Sequence, residues 1–481
     1  MIFSSPIFLF FFLPLVLTVN CLLPGLRARN LWLLGASILF YGWGEPAFLL
    51  LMLGSSVLNC ALGLWVEETA SPPARRAALV VAVAVNLGLL AYFKYANFAV
   101  DNLNALLHLA GLHPVSPEPV HLPIGISFFT FHALSYVLDI YDGKTKASRK
   151  LSETALYIFL FPQLIAGPIL RWGWMAPQIA SRHLTSERFA EGVRRFVYGL
   201  AKKVLIANAL ATPADQVFSL SPGEISPMLA WIGIVCYTLQ IYFDFSGYSD
   251  MAIGIGKMLG FEFIENFNYP YISQSIREFW RRWHISLSNW FRDYVYFRLG
   301  GNRCSKARNY FNLILVFLMC GLWHGASWTF VVWGLYHGAF LVLERTRFGA
   351  WLQSLPRLVR HSYALLVIVI GWLIFRSENL PQALVFLRAL FGFAQVSTSS
   401  NMLYMVLTNQ ATAVMCAGVV FSIPITARLR EKMLRTPLTR VRLGTQWLRL
   451  LAEPLWLAAL LVLSAAWLAD GTYNPFLYFR F

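Results

Sequence analysis

The chain has 481 residues, of which 58% are hydrophobic, 16% aromatic and only 13% charged, with a formal charge of +16. Soluble domains carry about a quarter charged residues, so this composition excludes an ordinary soluble enzyme and points to a polytopic protein of the lipid bilayer. The positive balance is no nucleic-acid signature: no RNA- or DNA-binding module is visible in the sequence, and excess Lys and Arg in short loops orient membrane spans.

In chain order, the first apolar run, PIFLFFFLPLVLTVNCLLPGL, has no Lys or Arg before Arg27. A secretory signal needs a basic stretch ahead of its apolar core, so this run reads as a retained span. Arg27 and Arg29, then Arg75 and Arg76, then DGKTKASRK at 142–150 mark cytoplasmic loops. The stretch ARLREKMLRTPLTRVRLGTQWLR, with seven Lys or Arg and one Glu, marks another. An apolar segment at about 450–469 follows, which places both termini outside and predicts an even number of crossings, about twelve. The expected fold is all-α and polytopic, with a membrane core over 1–449 and a last span with an aromatic tail over 450–481.

Some segments do not fit a simple span. IREFWRRWHISLSNWFRDYVYFRLGGNR at 276–303 has helical period but is too rich in Arg to cross. It reads as an amphipathic segment at the interface or folded back into the protein. HLPIGISFF and IAGPILRW are broken by Pro and Gly and read as re-entrant pieces. GIGKMLG at 254–260 is a small-residue packing stretch.

Soluble hydrolase and nucleotide motifs are absent from the sequence. Cys21, Cys60, Cys236, Cys304, Cys320 and Cys416 show no C-x-x-C spacing and define no metal site. Three histidines have unusual surroundings: His284 in RRWHISLS, His324 in CGLWHGASW and His337 in GLYHGAF. The last two sit in repeats of G-L-[WY]-H-G-A, 13 residues apart. In one continuous helix that separation is roughly 20 Å, so they share a site only if the chain turns between them. Imidazole is the usual general base near neutral pH, and an ionisable group at membrane depth is a functional candidate; a buried His bonded to a carbonyl is the plainer reading. Arg277, Arg281, Arg282 and Arg292 read first as lipid-headgroup contacts, with an arginine cluster here also suited to the phosphates of an acyl-CoA. Asp244 and Asp250 in YFDFSGYSDMAIG read as helix ties, with orientation of a His as the alternative.

YFDFSGYSDMAIG, NFNYPYISQSIREFWRRWHISLSNWFRDYVYFRLGGNR, GLWHGASWTFVVWGLYHG and PFLYFRF together resemble the membrane-bound O-acyltransferases, in the bacterial branch that serves alginate O-acetylation. Relatives serve cellulose acetylation and, more distantly, teichoic-acid D-alanylation. The resemblance implies helices ringing a funnel and tunnel in the bacterial inner membrane. It implies His324 as the catalytic histidine of the W-H-G motif and His284 as the second characteristic position. Arg281, Arg282, Trp323, His337, Asp244 and Asp250 become candidates for the substrate path. Acetyl-CoA is implied as donor substrate, with no bound cofactor or metal. A periplasmic SGNH-type acetyltransferase subunit and a polysaccharide synthase and export complex are the implied partners. In the teichoic-acid systems a small protein ends in a similar aromatic motif whose Tyr is thought to carry the acyl group, which makes Tyr478 the matching candidate acyl carrier. Tyr478 lies eight residues past Asp470, and eight extended residues reach about 26 Å, so the tail can fold back to mid-membrane. An aromatic belt at the membrane interface is the competing reading of the same tail. A transporter of polysaccharide or lipid-linked sugar, or an inert scaffold for export, are the alternatives from other classes.

Overall fold

The computed structural model of the chain describes residues 1–393, 401–425, 443–470 and 475, with 401 and 443–450 described by backbone alone. Among the described residues every regular element is helical. The helices Pro46–Glu68, Pro72–Leu109, Pro227–Met258, Arg357–Arg376 and Leu451–Ala469 are long and apolar enough to cross a membrane. Phe8–Leu22, Ile126–Tyr141, Trp328–Leu343, Leu380–Leu390 and Asn409–Phe421 are apolar but shorter. Hydropathy therefore does not map one crossing onto one long helix. The apolar runs are divided by turns that neighbouring helices bury, the condition under which broken backbone is tolerated at membrane depth. Tyr478 and most of the basic stretch at 427–449 lie outside the described residues.

The helix Pro227–Met258 forms the axis. Ser226 caps it by accepting from the Leu229 amide at 3.2 Å, and Pro227 occupies the first turn, where its missing N–H is harmless. It is apolar on almost every side, and 83% of its most apolar window is buried in the protein. Helix Ser186–Ala201 lies against it through two glycine pairs. A Cβ on Gly192 would come within 2.6 Å of the Gly254 carbonyl, and one on Gly199 within 2.6 Å of the Gly247 carbonyl. Backbone thus meets backbone, the close approach that small residues allow between membrane helices.

That approach brings charges into register. Asp250 accepts from Arg195 at 2.8 Å and from Lys202 at 2.6 Å, while Asp244 pairs with Lys203 at 2.5 Å. Lys202 and Lys203 open a π-helical turn over Lys202–Asn208 that follows Ser186–Ala201 directly. The wider turn carries an extra residue and shifts the phase of the side chains that follow. Both carboxylates tie helices together, the role that the sequence favoured. Lys203 also donates to the carbonyl of Pro475. The chain beyond the last helix therefore returns to an ion pair near the middle of Pro227–Met258.

The last helix, Leu443–Ala469, packs along Ser186–Ala201 through Leu460 against Val197 and Ala201, with Glu453 2.5 Å from Arg194. Leu455 and Val462 point outward. The segment 276–303 folds back into the protein instead of lying on its surface: Ile276, Phe279, Trp283, Leu287 and Trp290 are all buried. Ala166–Leu170 is buried without helical structure. The Leu170 carbonyl accepts from Tyr157 at 2.9 Å, and the Ile169 amide donates to Ser286 Oγ at 3.0 Å.

Lys203 and Asp244 are almost wholly buried, so removing one partner strands a charge. Lys203→Met is expected to destabilise the protein by about 3–5 kcal/mol in detergent unfolding, and adding Asp244→Leu to recover most of that loss. A single variant as stable as the parent would contradict the tie.

Candidate functional site

Helix Lys306–His324 starts at the Ser305 cap, and Gly325 leaves it in extended conformation. The chain turns at 325–327 and Trp328–Leu343 runs back alongside. The two G-L-[WY]-H-G-A repeats make this hairpin. A Cβ on Gly321 would sit 2.3 Å from the Phe330 carbonyl, and one on Gly334 2.4 Å from the Phe317 carbonyl. The first glycine of each repeat is therefore the contact point between the two helices. The turn brings His324 and His337 to the same indole: each ring centroid lies 5.0 Å from that of Trp333.

Their settings differ. His324 is boxed by Trp333, by Trp323 at 4.7 Å and by Phe375 at 5.2 Å. His337 contacts Trp280 at 5.1 Å, and its Nε2 faces Gly371 so closely that a Cβ there would lie 2.6 Å away. His337 thus fills a space between helices.

His284 sits where Ile276–Arg282 and Ile285–Phe291 meet, with φ of +44°. A non-glycine residue in that left-handed region needs its surroundings to hold it there. Asn266 does so. Its carbonyl accepts from the Ile285 amide at 3.0 Å, and its Oδ1 accepts from the Ser286 amide at 3.2 Å and Ser286 Oγ at 2.9 Å. His284 Nδ1 lies 3.1 Å from the same Oδ1. An amide N–H can only donate, so the atom facing Ser286 is the Asn266 oxygen, and Nδ1 carries the imidazole proton. Nε2 is left with its lone pair, buried and without a hydrogen-bond partner among the described residues. Phe245 meets this ring edge-on at 4.6 Å, and Trp323 lies 6.0 Å from it. Trp323 is therefore a neighbour of both His284 and His324, and is itself stacked on Phe131 at 5.4 Å.

A cavity of about 1080 Å³ lies next to this cluster, with none of the three imidazoles in its lining. Gly325, Phe330 and Phe375 line its end beside His324, and Asp101, Arg376 and Glu378 also line it. It opens at the ends of Pro72–Leu109 and Arg357–Arg376 that lie away from Arg75, Arg76 and Arg357. Arg376 is braced across it by Asp215 at 2.5 Å.

The other candidates lie apart from the imidazoles. Arg282 donates to Glu278 and to the Asn268 carbonyl, each at 3.0 Å, and Arg281 is exposed. Asp244 and Asp250 remain in their ion pairs. Sequence reasoning missed Asn266, Ser286, Trp333 and Lys94. Lys94 alone offered a signal, a single cation in the apolar run LLAYFKYANF. Asn266 owes its place to a loop that only tertiary packing brings to His284.

Truncating Asn266 would strand Ser286 and His284 Nδ1. Asn266→Ala is expected to cost about 1–3 kcal/mol in thermal unfolding, and Asn266→Asp, which retains an acceptor, to cost less.

Comparison with known proteins agrees with this architecture. Residues 146–375 match the model of the MBOAT, membrane-bound O-acyltransferase family. The chain is 44% identical over 493 residues to the probable alginate O-acetylase AlgI of Pseudomonas putida, covering 100% of both chains. It is 37% identical over 434 residues to a peptidoglycan O-acetyltransferase of Helicobacter pylori, covering 82% of this chain and 81% of that one. It is 31% identical over 243 residues to a teichoic acid D-alanyltransferase of Bacillus subtilis, covering 47% and 61%.

Proposed function

Because the chain belongs to the membrane-bound O-acyltransferase family, we propose that His324 and His284 carry its transfer reaction, with acetyl-CoA as donor from the cytoplasmic face. The chain is a multi-pass membrane O-acyltransferase of the alginate O-acetylation branch. In the proposed step His324 takes the proton of an acceptor hydroxyl as its oxygen attacks the thioester carbonyl. The C–S bond breaks, and the departing CoA thiolate takes the proton back from the imidazolium. His284, protonated at Nδ1, offers a lone pair at Nε2. That suits it to orient a hydroxyl or thiol by accepting its hydrogen bond, and not to neutralise an oxyanion.

The observation that carries this reading is the pair of buried imidazoles that both neighbour Trp323, with His324 also against Gly325 and Phe375 of an open cavity's wall. With the basic loops in the cytoplasm and both termini outside, that cavity opens toward the periplasm. An acceptor can then meet, at mid-membrane, a thioester entering from the other side. Tyr478 is proposed as the first acceptor. A phenol ordinarily ionises near 10, well below a sugar hydroxyl, and its ester is an activated donor. The return of Pro475 to buried Lys203 supports a tail that re-enters the membrane domain. From there the acetyl group would pass to a periplasmic SGNH-type acetyltransferase of the synthase and export complex. Alginate is the polymer that the relatives' names point to.

His324→Ala is expected to insert normally, leave polymer export intact and lower O-acetylation by about 10²–10⁴-fold. Loss of export with O-acetylation retained would reject the reading. For the carrier step, mass spectrometry of the C-terminal peptide should find acetyl on Tyr478 only when donor is supplied, and Tyr478→Phe should abolish onward transfer. Full activity in Tyr478→Phe would end that part of the proposal.

A further inference from the structure

The end of helix Lys306–His324 raises an accounting question. The last four carbonyls of any helix lack partners within it, and inside a membrane no water is at hand to supply them. Here all four are met. The Gly325 amide donates to the Gly321 carbonyl at 3.3 Å. The Leu322 carbonyl accepts from Tyr95 Oη at 2.6 Å. Lys94 Nζ donates to the Trp323 carbonyl and, at 3.2 Å, to the His324 carbonyl. Two consecutive residues of Pro72–Leu109 therefore serve three consecutive carbonyls of another helix.

Lys94 is an unusual choice for this task. It is 7% exposed, and its third contact, 3.5 Å to Ser127 Oγ, is also uncharged. Among the described residues it forms no ion pair. A buried ammonium is expensive unless its protons are all used. The negative end of the helix dipole offsets part of that expense, because a cation at a helix C-terminus is favoured. Lys94 also lines the cavity together with Gly325, Phe330 and Phe375. It thus holds the backbone of His324 next to the cavity wall that Gly325 and Phe375 form.

We propose that Lys94, assisted by Tyr95, is a positioning residue for acyl transfer: its Nζ clamps the Trp323 and His324 carbonyls and so fixes the backbone from which both side chains project. Trp323 neighbours both imidazoles, so one clamp holds His324 directly and the indole that His284 also meets. The inference rests on the reading that His324 is catalytic. A displacement of about 1 Å in a reacting group can cost on the order of 10²-fold in rate without any loss of the group itself.

The test uses the purified full-length protein in nanodiscs, with acetyl-CoA as the donor probe. Lys94→Met is expected to lower kcat by roughly 10²-fold while the KM for acetyl-CoA stays within about twofold. Lys94→Arg, which still donates to both carbonyls, is expected to recover most of kcat. Tyr95→Phe, which loses one bond and keeps the cation, is expected to fall between. If Lys94→Met does not accumulate, Lys94→Arg and Tyr95→Phe decide the matter by the same split between kcat and KM. Parent-like turnover in Lys94→Met overturns the inference, as does a parallel decline of kcat, donor affinity and thermal stability with no rescue by Arg. His324→Ala measured alongside separates the two levels. Activity there removes the underlying reading, whereas an inactive His324→Ala with a fully active Lys94→Met removes only the clamp.

Discussion

Backbone that stops being helical inside a bilayer must find every hydrogen bond within the protein, because hydrocarbon supplies none. This chain breaks its helices at His284 and at His324, and much of the surrounding structure answers those two breaks. At His284 the answer is Asn266, which serves the Ile285 amide, the Ser286 amide and hydroxyl, and the imidazole. At His324 it is Lys94 and Tyr95. Each break frees a buried imidazole from the side-chain phase that a continuous helix would have imposed. Each is also strongly over-determined, so the left-handed conformation of His284 persists.

Two different packing devices bring these breaks together. Glycine lets backbones touch, at Gly321 and Gly334 in the hairpin and at Gly199 and Gly247 beside the central helix. In water such glycines inside helices would weaken them by up to about 1 kcal/mol each; in a membrane the close contact they allow is a main source of association. Ion pairs act where helices must keep register. Asp244 with Lys203, and Asp250 with Arg195 and Lys202, hold the central helix against its neighbour. The glycine contacts place those charges near enough to pair, and the paired charges keep the helices from sliding. The carbonyl of Pro475 joins the same buried lysine, so the chain after the last helix is tied to this register too.

The repeated G-L-[WY]-H-G-A motif illustrates how much was legible. Its 13-residue spacing is visible in the sequence, and so is the geometric condition that the chain must turn for the two histidines to meet. Its meaning as a packing device was not visible, because the partners of Gly321 and Gly334 are each other and the Phe carbonyls beside them. The Arg- and Trp-rich stretch was correctly set apart from the spans by its charge. Whether it lay on the membrane or inside the protein depended on which surfaces were free to bury its indoles. Asn266 and Lys94 were passed over for related reasons. One is an ordinary polar residue in a loop, and the other is a lone cation whose ligands come from a helix more than two hundred residues later.

By itself the sequence determined the solvent, the secondary structure and the family of this protein. Those follow from local properties: apolar length, the scarcity of charge, and long motifs that read the same in any context. It also singled out the histidines, because an ionisable group in an apolar run is anomalous wherever it occurs. The tertiary structure alone decided which nitrogen of His284 is bare, which aromatic rings surround each of the three imidazoles, and which cations the buried carboxylates pair with. Those properties are hydrogen bonds and contacts between distant segments. They exist only once the chain has closed around them.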